Sequence, residues 1–348
     1  MSASGSRRRP PVLLVVLGLA LLAGGSIAFR MALSDSSPAA ATSTRPSVSA
    51  PSLVPSPSPT PPHRGRLVIH GTGDVSLDPS YIPNFQTYGY DYAFSGLGGL
   101  FKRDDLTVVN LECPAATGGS KWPGKQFNFR CDPDALPVMR RAGVEVAHQG
   151  NNHAYDYGPE ALLESRRNIR RAGMASTGTG KDPEQAEAPA RFDINGWRIA
   201  VVGFDQVLDP QPEEQAQPGH PGTACGHDVD CMVAATERAA ADADLVIVVI
   251  HWGVELDTAP RAEQVEEAHR FIDAGADVIF GHHAHRLQPM GTYKGRPIFY
   301  GLGNFVWPNH SVAGATTAVA EVVVTPSGKL RGRLLPAYIE SAGHPVLQ

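Results

Sequence analysis

From Arg66 onwards, short apolar runs alternate with amphipathic stretches along the chain. Short Val- and Ile-rich runs are typical of buried strands, and a period near 3.6 is typical of helices. The predicted strands are Leu67–Ile69, Leu106–Val109, Val144–Ala147, Trp197–Phe204, Leu245–Ile250, Asp277–Phe280, Pro297–Tyr300, Thr317–Val324 and Leu330–Tyr338. The predicted helices are Ala135–Arg141, Glu160–Arg171, Met232–Ala241 and Arg261–Ala274. This alternation predicts a layered α/β fold, with a glycine-containing turn after the first strand.

The amino-terminal residues show a different pattern. An uncharged apolar run of 19 residues, from Pro11 to Phe29, follows the basic residues Arg7, Arg8 and Arg9. A helix of about 20 apolar residues crosses a bilayer, and its basic flank stays in the cytoplasm. Residues 1–30 are therefore interpreted as a membrane anchor that leaves the rest of the chain outside the cytoplasm. The alternatives are a cleaved signal peptide, which would give a secreted protein, and a buried core helix.

A linker rich in Ser, Pro, Ala and Thr covers residues 31–65. Such a segment buries too little apolar surface to offset its ordering entropy, and its prolines favour extended conformations. We therefore expect a disordered tether that separates the membrane from a folded domain at residues 66–348.

The composition of the 348 residues supports this organisation. Hydrophobic residues make up 42% of the chain, which is enough for a sizeable core. The net charge of −5 gives no indication of a nucleic-acid partner. Outside the cytoplasm, the even number of cysteines favours disulfides. Proximity in the sequence favours the pairs Cys113–Cys131 and Cys225–Cys231. Four cysteines allow three pairings, and four free or buried thiols are the alternative.

Polar clusters follow five of the predicted strands. They are Gly73-Asp74-Val75, Asn110-Leu111-Glu112, Gly150-Asn151-Asn152-His153, His251-Trp252-Gly253 and Gly281-His282-His283-Ala284-His285. Ligands of α/β sheets bind at the carboxyl ends of the strands. Carboxylate, amide and imidazole groups together are typical of a site for Mn, Zn or Fe. Taken alone, each cluster also has an interpretation without a metal. Asp74 could cap a turn, Asn152 and His153 could form a loop hydrogen bond, and His251 could be a hydrogen-bonded histidine of the core.

The stretches GTGDVSLD, VVNLECP, QGNNHAYDYG, VVIHWGVEL, GADVIFGHHAHRLQP and FYGLGNFVW occur in this order. In this order they resemble the motifs of the CapA-type capsule synthesis, or poly-γ-glutamate biosynthesis, family. The resemblance covers about residues 66–340. The family is in turn similar to calcineurin-like metallophosphoesterases, so the resemblance implies a double β-sheet sandwich flanked by helices. It also implies a protein anchored on the outside of a bacterial membrane.

The resemblance further implies a role for individual residues around one or two divalent metal ions. The implied metal ligands are Asp74, Glu112 as the bridging carboxylate, Asn152, His251, His283 and His285. His153 would be the catalytic acid. Asp156 follows the Asn-Asn-His cluster and is interpreted as a support for the ligands, with a simple loop as the alternative. Glu255 and Asn304 match family motifs and would also support the ligands, with capping or turn chemistry as the alternative.

Two departures from the phosphoesterase pattern bear on activity. Ser76 stands where that pattern has a histidine, and the bridging group is Glu112 instead of an aspartate. Three functions therefore remain open: a component of anionic polymer biosynthesis or export, a metal-dependent phosphoesterase, and a non-catalytic polymer-binding module. The expected partners are the bacterial membrane, an anionic polymer or phosphorylated substrate, and a membrane polymer-synthase complex.

Overall fold

The computed structural model describes residues 63–207 and 214–348. The anchor and signal-peptide interpretations, and most of the linker, lie outside the described residues. Within those two ranges, no helix is both long and apolar enough to cross a bilayer. The last linker residues contact the folded domain. Arg64 lies 4.5 Å from the ring centroid of Trp197, whose Nε1 donates a hydrogen bond to the carbonyl of Gly65 over 2.8 Å.

The secondary structure of the described residues follows the predicted α/β alternation. The strands are β1 (Leu67–Val75), β2 (Leu106–Leu111), β3 (Val146–His148), β4 (Ala175–Thr177), β5 (Thr179–Gly180), β6 (Ala190–Ile194), β7 (Trp197–Asp205), β8 (Gly222–Thr223), β9 (Leu245–His251), β10 (Val278–His282), β11 (Met290–Tyr293), β12 (Arg296–Phe299), β13 (Asn304–Val306), β14 (Thr316–Val324), β15 (Leu330–Ser341) and β16 (His344–Leu347). The helices are α1 (Asn84–Tyr88), α2 (Tyr92–Ser95), α3 (Leu136–Ala142), α4 (Gly158–Arg171), α5 (Pro183–Glu187), α6 (Val229–Ala240), α7 (Ala262–Asp273) and α8 (Val312–Ala315).

The strands form two large sheets. The first has the order β16-β15-β14-β1-β2-β3-β4, with β13 also paired to β1. In it, β1 to β4 and β13 are parallel, and β14 to β16 run antiparallel. The second has the order β11-β12-β10-β9-β7-β6, in which the four central strands are parallel. A further pair, β5 and β8, is antiparallel.

The two large sheets pack face to face. Leu67 and Ile69 of the first sheet share one buried cluster with Ile247 and Phe280 of the second. A second cluster joins Phe271 of α7 and residues of α6 to the other face of the second sheet. A third covers the outer face of the first sheet with α3 and part of α4. The expected double-sheet sandwich flanked by helices is therefore confirmed, and apolar burial between its layers holds it together.

The turn expected after Ile69 is wrong, because β1 continues to Val75. Two glycines make this possible. A Cβ on Gly71 would lie 2.8 Å from the ring of Phe280, and one on Gly73 would lie 2.1 Å from the carbonyl oxygen of Gly303. The two glycines therefore do not form the predicted turn. They permit close approach of the second sheet and of the chain before β13.

Acidic residues close the amino ends of four parallel strands in one repeated arrangement. Asp105, Glu145, Asp244 and Asp277 each lie one residue before a strand. Each acid makes two hydrogen bonds to one residue of the neighbouring strand. Its backbone N–H donates to the carbonyl of that residue, and its carboxylate accepts a hydrogen bond from the backbone N–H of the same residue. The partners are Val68, Thr107, Arg198 and Val246, with N···O distances of 2.7–3.1 Å. This amino edge of the sheets thus has its acidic groups occupied by strand pairing.

Candidate metal centre

The predicted polar clusters meet at the opposite edge, where the parallel strands end. Asp74 is the penultimate residue of β1, Glu112 directly follows β2, and His251 ends β9. All three are fully buried. The remaining ligand candidates follow β3 and β10 and are Asn152, His283 and His285. Because both sheets contribute, the carboxyl edge joins side chains that are more than 200 positions apart in the sequence.

Asp74, Glu112 and His285 form the tightest group. One ligand atom from each lies within 4.8 Å of the others. Nδ1 of His285 is 3.0 Å from Oδ2 of Asp74, and its Nε2 is 3.6 Å from Oε1 of Glu112. Apart from these imidazole contacts, neither of the two carboxylate oxygens has a hydrogen-bond partner among the described residues, although both are buried. Buried acceptors without well-aligned donors are costly, and a cation between these two oxygens would satisfy both.

The second oxygen of each carboxylate is held by side chains that the sequence interpretation did not assign. Nδ2 of Asn110 donates to Oδ1 of Asp74 over 2.8 Å and to Oε2 of Glu112 over 3.3 Å. Nδ1 of His282 lies 3.1 Å from Oδ1 of Asp74. The sequence did indicate the direction of Asn110. It lies in β2 two residues before Glu112, and side chains two residues apart along an extended chain point to the same face. His282 is part of the quoted histidine tract.

The two carboxyl groups respond differently to burial. For Asp74, burial raises the pKa, but the imidazoles of His282 and His285 outweigh it and hold the pKa well below its usual range. For Glu112, burial and then the charges of Asp74 and Glu255 raise the pKa well above its usual range. Two carboxylates this close resist ionising together, and a shared cation would relieve that repulsion.

His251, Asn152 and His283 form a second group of possible ligands. Nε2 of His251 lies 3.0 Å from Oδ1 of Asn152 and 3.2 Å from Nδ1 of His283. The same Nε2 is 3.9 Å from Oε1 of Glu112, so this group adjoins the first. Burial, and then the neighbouring His283, hold the pKa of His251 well below its usual range. The imidazole is therefore neutral near pH 7, which is the form that binds a metal.

His153 faces the same space with a fixed orientation. Its Nδ1 lies 2.7 Å from Oδ2 of Asp156, and its Nε2 is 3.9 Å from Oε1 of Glu112. Because a carboxylate only accepts, Nδ1 carries the proton and Nε2 is the exchanging nitrogen. Asp156 also accepts from the backbone N–H of Phe129 over 2.6 Å and pairs with Lys125 over 2.8 Å. Burial lowers the pKa of His153 despite Asp156.

A disulfide holds the loop that covers His153. The structure joins Cys113, the residue after Glu112, to Cys131, and the loop between them carries Lys125 and Phe129. Phe129 packs on His153 with ring centroids 4.3 Å apart. Beside it lies a cavity of about 370 Å³ that Lys125 and Phe129 also line. Cys225 is joined to Cys231, so both sequence-proximal pairs are present.

The backbone at the histidine tract is strained. His283 has φ +85° and His285 has φ +50°. Non-glycine residues rarely adopt the left-handed region, at a cost of about 1–3 kcal/mol each. Such strain persists where the surrounding structure fixes a geometry, and here it places two imidazoles 6.2 Å apart around the carboxylates. Because this left-handed backbone costs free energy, its presence at two histidines favours a binding function for the histidine tract.

The supporting residues occupy three different positions. Asp156 holds His153 directly. Asn304 pairs in register with Asp74, and its Nδ2 donates to the carbonyl of Gly314 over 3.0 Å. Glu255 is exposed on the loop after β9 and acts on Glu112 by charge alone. Ser76 is buried, and the hydrogen bond that its hydroxyl makes in the described structure is a 3.4 Å bond from the N–H of Asp78.

The donor set fits a divalent cation. Two carboxylates, an amide oxygen and imidazoles suit Zn, Mn or Fe, and apart from the imidazoles the buried oxygens of Asp74 and Glu112 lack donors in the described structure. The other compact cluster in residues 63–207 and 214–348 contains Glu187 with Cys225 and Cys231. Its thiols are joined as a disulfide, so it offers no thiolate ligand.

Fold and site together define an α/β double-sheet sandwich with an acid–imidazole centre at the carboxyl edge of its strands. The model of the family described as bacterial capsule synthesis protein PGA_cap matches residues 68–309. The chain belongs to this family, as its motifs led us to expect.

Curated relatives agree with the family assignment. The capsule biosynthesis protein CapA of Bacillus anthracis is 30% identical over 290 residues, covering 81% of this chain and 70% of that protein. The PGA biosynthesis protein CapA of Bacillus subtilis is 29% identical over 272 residues, covering 78% and 71%. Among solved structures, the NAD nucleotidase of Haemophilus influenzae is 16% identical and covers 78% of this chain and 56% of its own, with a TM-score of 0.49. A structural likeness of that size carries no functional argument.

Proposed function

We propose that this protein acts outside the cytoplasm in the biosynthesis or export of an anionic capsule polymer of the poly-γ-glutamate kind. The observation that carries the proposal is membership of the capsule synthesis family across residues 68–309. The apolar run at residues 11–29 would hold the domain at the membrane, where a polymer synthase would be its partner. The sequence contains no ATP-binding loop of the Walker type, so an ATP-dependent step would belong to that partner.

The acid–imidazole centre would hold one or two divalent cations in this function. Asp74, Glu112 and His285 would hold the first, and Asn152, His251 and His283 would hold the second, with Glu112 between them. A bound cation supplies a Lewis acid for a substrate oxygen. The chain supplies proton transfer at Nε2 of His153, with Asp156 fixing the ring. The loop bearing Phe129 restricts water on that side.

The direct test is elemental analysis of the purified full-length chain. We expect at least one equivalent of Mn, Zn or Fe, lost on chelation and strongly reduced in His283→Asn with His285→Asn. His310→Asn is the matched control, because His310 is exposed and distant in sequence from every cluster of the centre. A chain that binds no divalent metal at micromolar concentration would contradict the metal site. It would leave family membership intact.

A second candidate function is a metal-dependent phosphoesterase, which the His153–Asp156 pair beside the carboxylates favours. The missing imidazole at Ser76 argues for a weaker first site or for binding without catalysis. Turnover of bis-p-nitrophenyl phosphate by the metal-loaded protein would support the phosphoesterase. Restoration of surface polymer in a deletion strain by Asp74→Ala with His283→Ala would show that the metal is dispensable and support the non-catalytic role.

A further inference from the structure

The antiparallel strand β15 presents arginines on one face only. Leu330 and Leu334 pack against the cluster between the two large sheets, and a Cβ on Gly332 would lie 2.7 Å from the side chain of Pro297. These three positions therefore face the second sheet. Since side chains alternate along a strand, Arg331 and Arg333 point to the opposite face, where both are exposed.

The register of the sheet arranges these arginines into a groove. Arg331 lies opposite Val323 of β14, and Arg333 lies opposite Glu321. Val323 lines the groove, which gives it an apolar patch between the charged side chains. Arg66, one residue before β1, and Lys329, one residue before β15, complete it. The groove has a volume of about 480 Å³ and is lined by Arg66, Lys329, Arg331, Arg333, Glu321 and Val323, among others.

Positive charge in this basic groove is largely uncompensated. Nε of Arg333 pairs with Oε1 of Glu321 over 2.7 Å. Within the part of the chain that the structure describes, Arg66, Lys329 and Arg331 make no ion pair. The whole chain has a net charge of −5, so the groove concentrates positive charge on a protein that is acidic overall. Such a site attracts anions selectively.

We propose that the basic groove binds a segment of an anionic polymer that carries one carboxylate on each repeating unit. This inference rests on the proposed function and names a second contact for the same polymer. Alternate residues of a strand are about 7 Å apart, so Lys329, Arg331 and Arg333 form a row that successive carboxylates can meet. Val323 would lie under the polymer backbone, away from its charges.

The groove and the acid–imidazole centre lie at opposite ends of β1. Arg66 precedes the strand and Asp74 is near its carboxyl end, so about 26 Å separates them. A chain held in the groove is therefore bound without occupying the centre. A short oligomer would engage one of the two places, and only a longer polymer would reach both, which raises the effective concentration at the centre.

Charge and shape favour a polymer over an anionic membrane surface as the occupant. A membrane-binding face needs apolar side chains that enter the lipid. The exposed large apolar side chains of residues 63–207 and 214–348 are Tyr88, Phe127, Val254, Leu256 and Val312. All five side chains lie outside the groove. The groove is concave and contains one small apolar residue, Val323, between its charged residues, so it suits an extended anionic chain.

The test uses the full-length protein in neutral detergent with fluorescein-labelled poly-γ-glutamate, followed by fluorescence anisotropy at low salt. Lys329→Glu with Arg331→Glu should weaken binding about tenfold, as expected when charge-assisted contacts are reversed. The control Arg167→Glu with Arg171→Glu changes the net charge equally on the exposed face of α4. We expect less than a twofold effect there. Equal weakening in both variants would overturn the groove as a specific site.

Further arms separate the remaining outcomes. Preferential binding to phosphatidylserine vesicles, with no retention of poly-γ-glutamate, would overturn the polymer as the occupant. Asp74→Asn should keep polymer binding while losing metal, so failure of the metal site and failure of the groove give different results. If the double charge reversal lowers the unfolding midpoint, Arg331→Gln replaces it. The expected loss is then about threefold, and an unchanged affinity would overturn the proposal.

Discussion

The two edges of the sheets use the same acidic chemistry for different purposes. At the amino edge, Asp105, Glu145, Asp244 and Asp277 all bind backbone N–H groups of a neighbouring strand. At the carboxyl edge, Asp74 and Glu112 each keep a buried oxygen without a hydrogen-bond partner in the described structure. Carboxylates that support the fold have their acceptors filled by the fold itself. Carboxylates that leave acceptors unfilled at a buried edge indicate a ligand.

The largest expected effect that tests this difference between the two edges is on metal binding. Asp74→Ala should lower the affinity for Mn or Zn by at least about 100-fold, because loss of a ligand should cost at least as much as loss of a group that supports a ligand. Isothermal titration of the chelator-treated protein measures it. Asp193→Ala, an exposed acid of β6, is the control and should bind normally. Equal affinities in the two variants would show that Asp74 is not a ligand.

A reciprocal change at the amino edge should affect stability instead. Asp277→Ala leaves the N–H of Val246 without its acceptor and removes the 3.1 Å ion pair with Arg296. We expect a loss of about 2 kcal/mol in the free energy of unfolding, because a buried donor is left unpaired. Denaturant titration gives this value. The metal content per folded molecule should stay unchanged, and a fall in metal content would break the division between the two edges.

Glu112→Gln should have the opposite effect on stability when metal is absent. The folded protein raises the pKa of Glu112 above its ordinary 4.5, so this side chain destabilises the fold as the pH rises from 4.5 through the folded pKa. In chelator, the variant should therefore be about 1 kcal/mol more stable at pH 8 and equal to the parent at pH 4. Destabilisation at pH 8 would mean that Glu112 serves the fold as the amino-edge acids do.

The smallest effect concerns an amino-edge ion pair. A hydrogen bond from Arg198 outweighs burial and lowers the pKa of Asp244 from 3.8 to about 2. Its contribution is present above pH 3.8 and is lost as the pH falls through about 2. Because Arg198 is exposed, Asp244→Asn should cost below about 1 kcal/mol at pH 7 and nothing below pH 2. Thermal unfolding measures the difference in stability between Asp244→Asn and the parent from pH 7 to pH 2. A difference that does not change with pH would mean that the substitution disturbs packing and not the ion pair.

Most of the fold and much of the centre could be predicted from the sequence, because periodicity and strand-end position are local signals. The apolar run before His251 predicted its strand, and the tract at His283 and His285 stood out by composition. The presence of Gly71 led to the wrong prediction of a turn, whereas this glycine leaves room for the ring of Phe280 from the other sheet. That contact joins residues 209 positions apart, and no local pattern reports it.

The parts of the centre that the sequence could not supply depend on tertiary geometry. Asn110 orients both carboxylates; its position two residues before Glu112 indicated its direction but not its partners, because an asparagine near a strand end has many ordinary uses. The left-handed backbone at His283 and His285 is set by packing around the carboxylates and leaves no mark in composition. The opposite shifts of the Asp74 and Glu112 pKa values arise from neighbours brought in by both sheets.

The bridge between Cys113 and Cys131 has a practical consequence for anyone handling this protein. It begins one residue after Glu112 and closes the loop that positions Phe129 over His153. Reduction of this disulfide would remove the covalent tie that holds that cover while leaving every proposed ligand chemically unchanged. Purification buffers thus become an experimental variable, and production in an oxidising host compartment is the appropriate starting point.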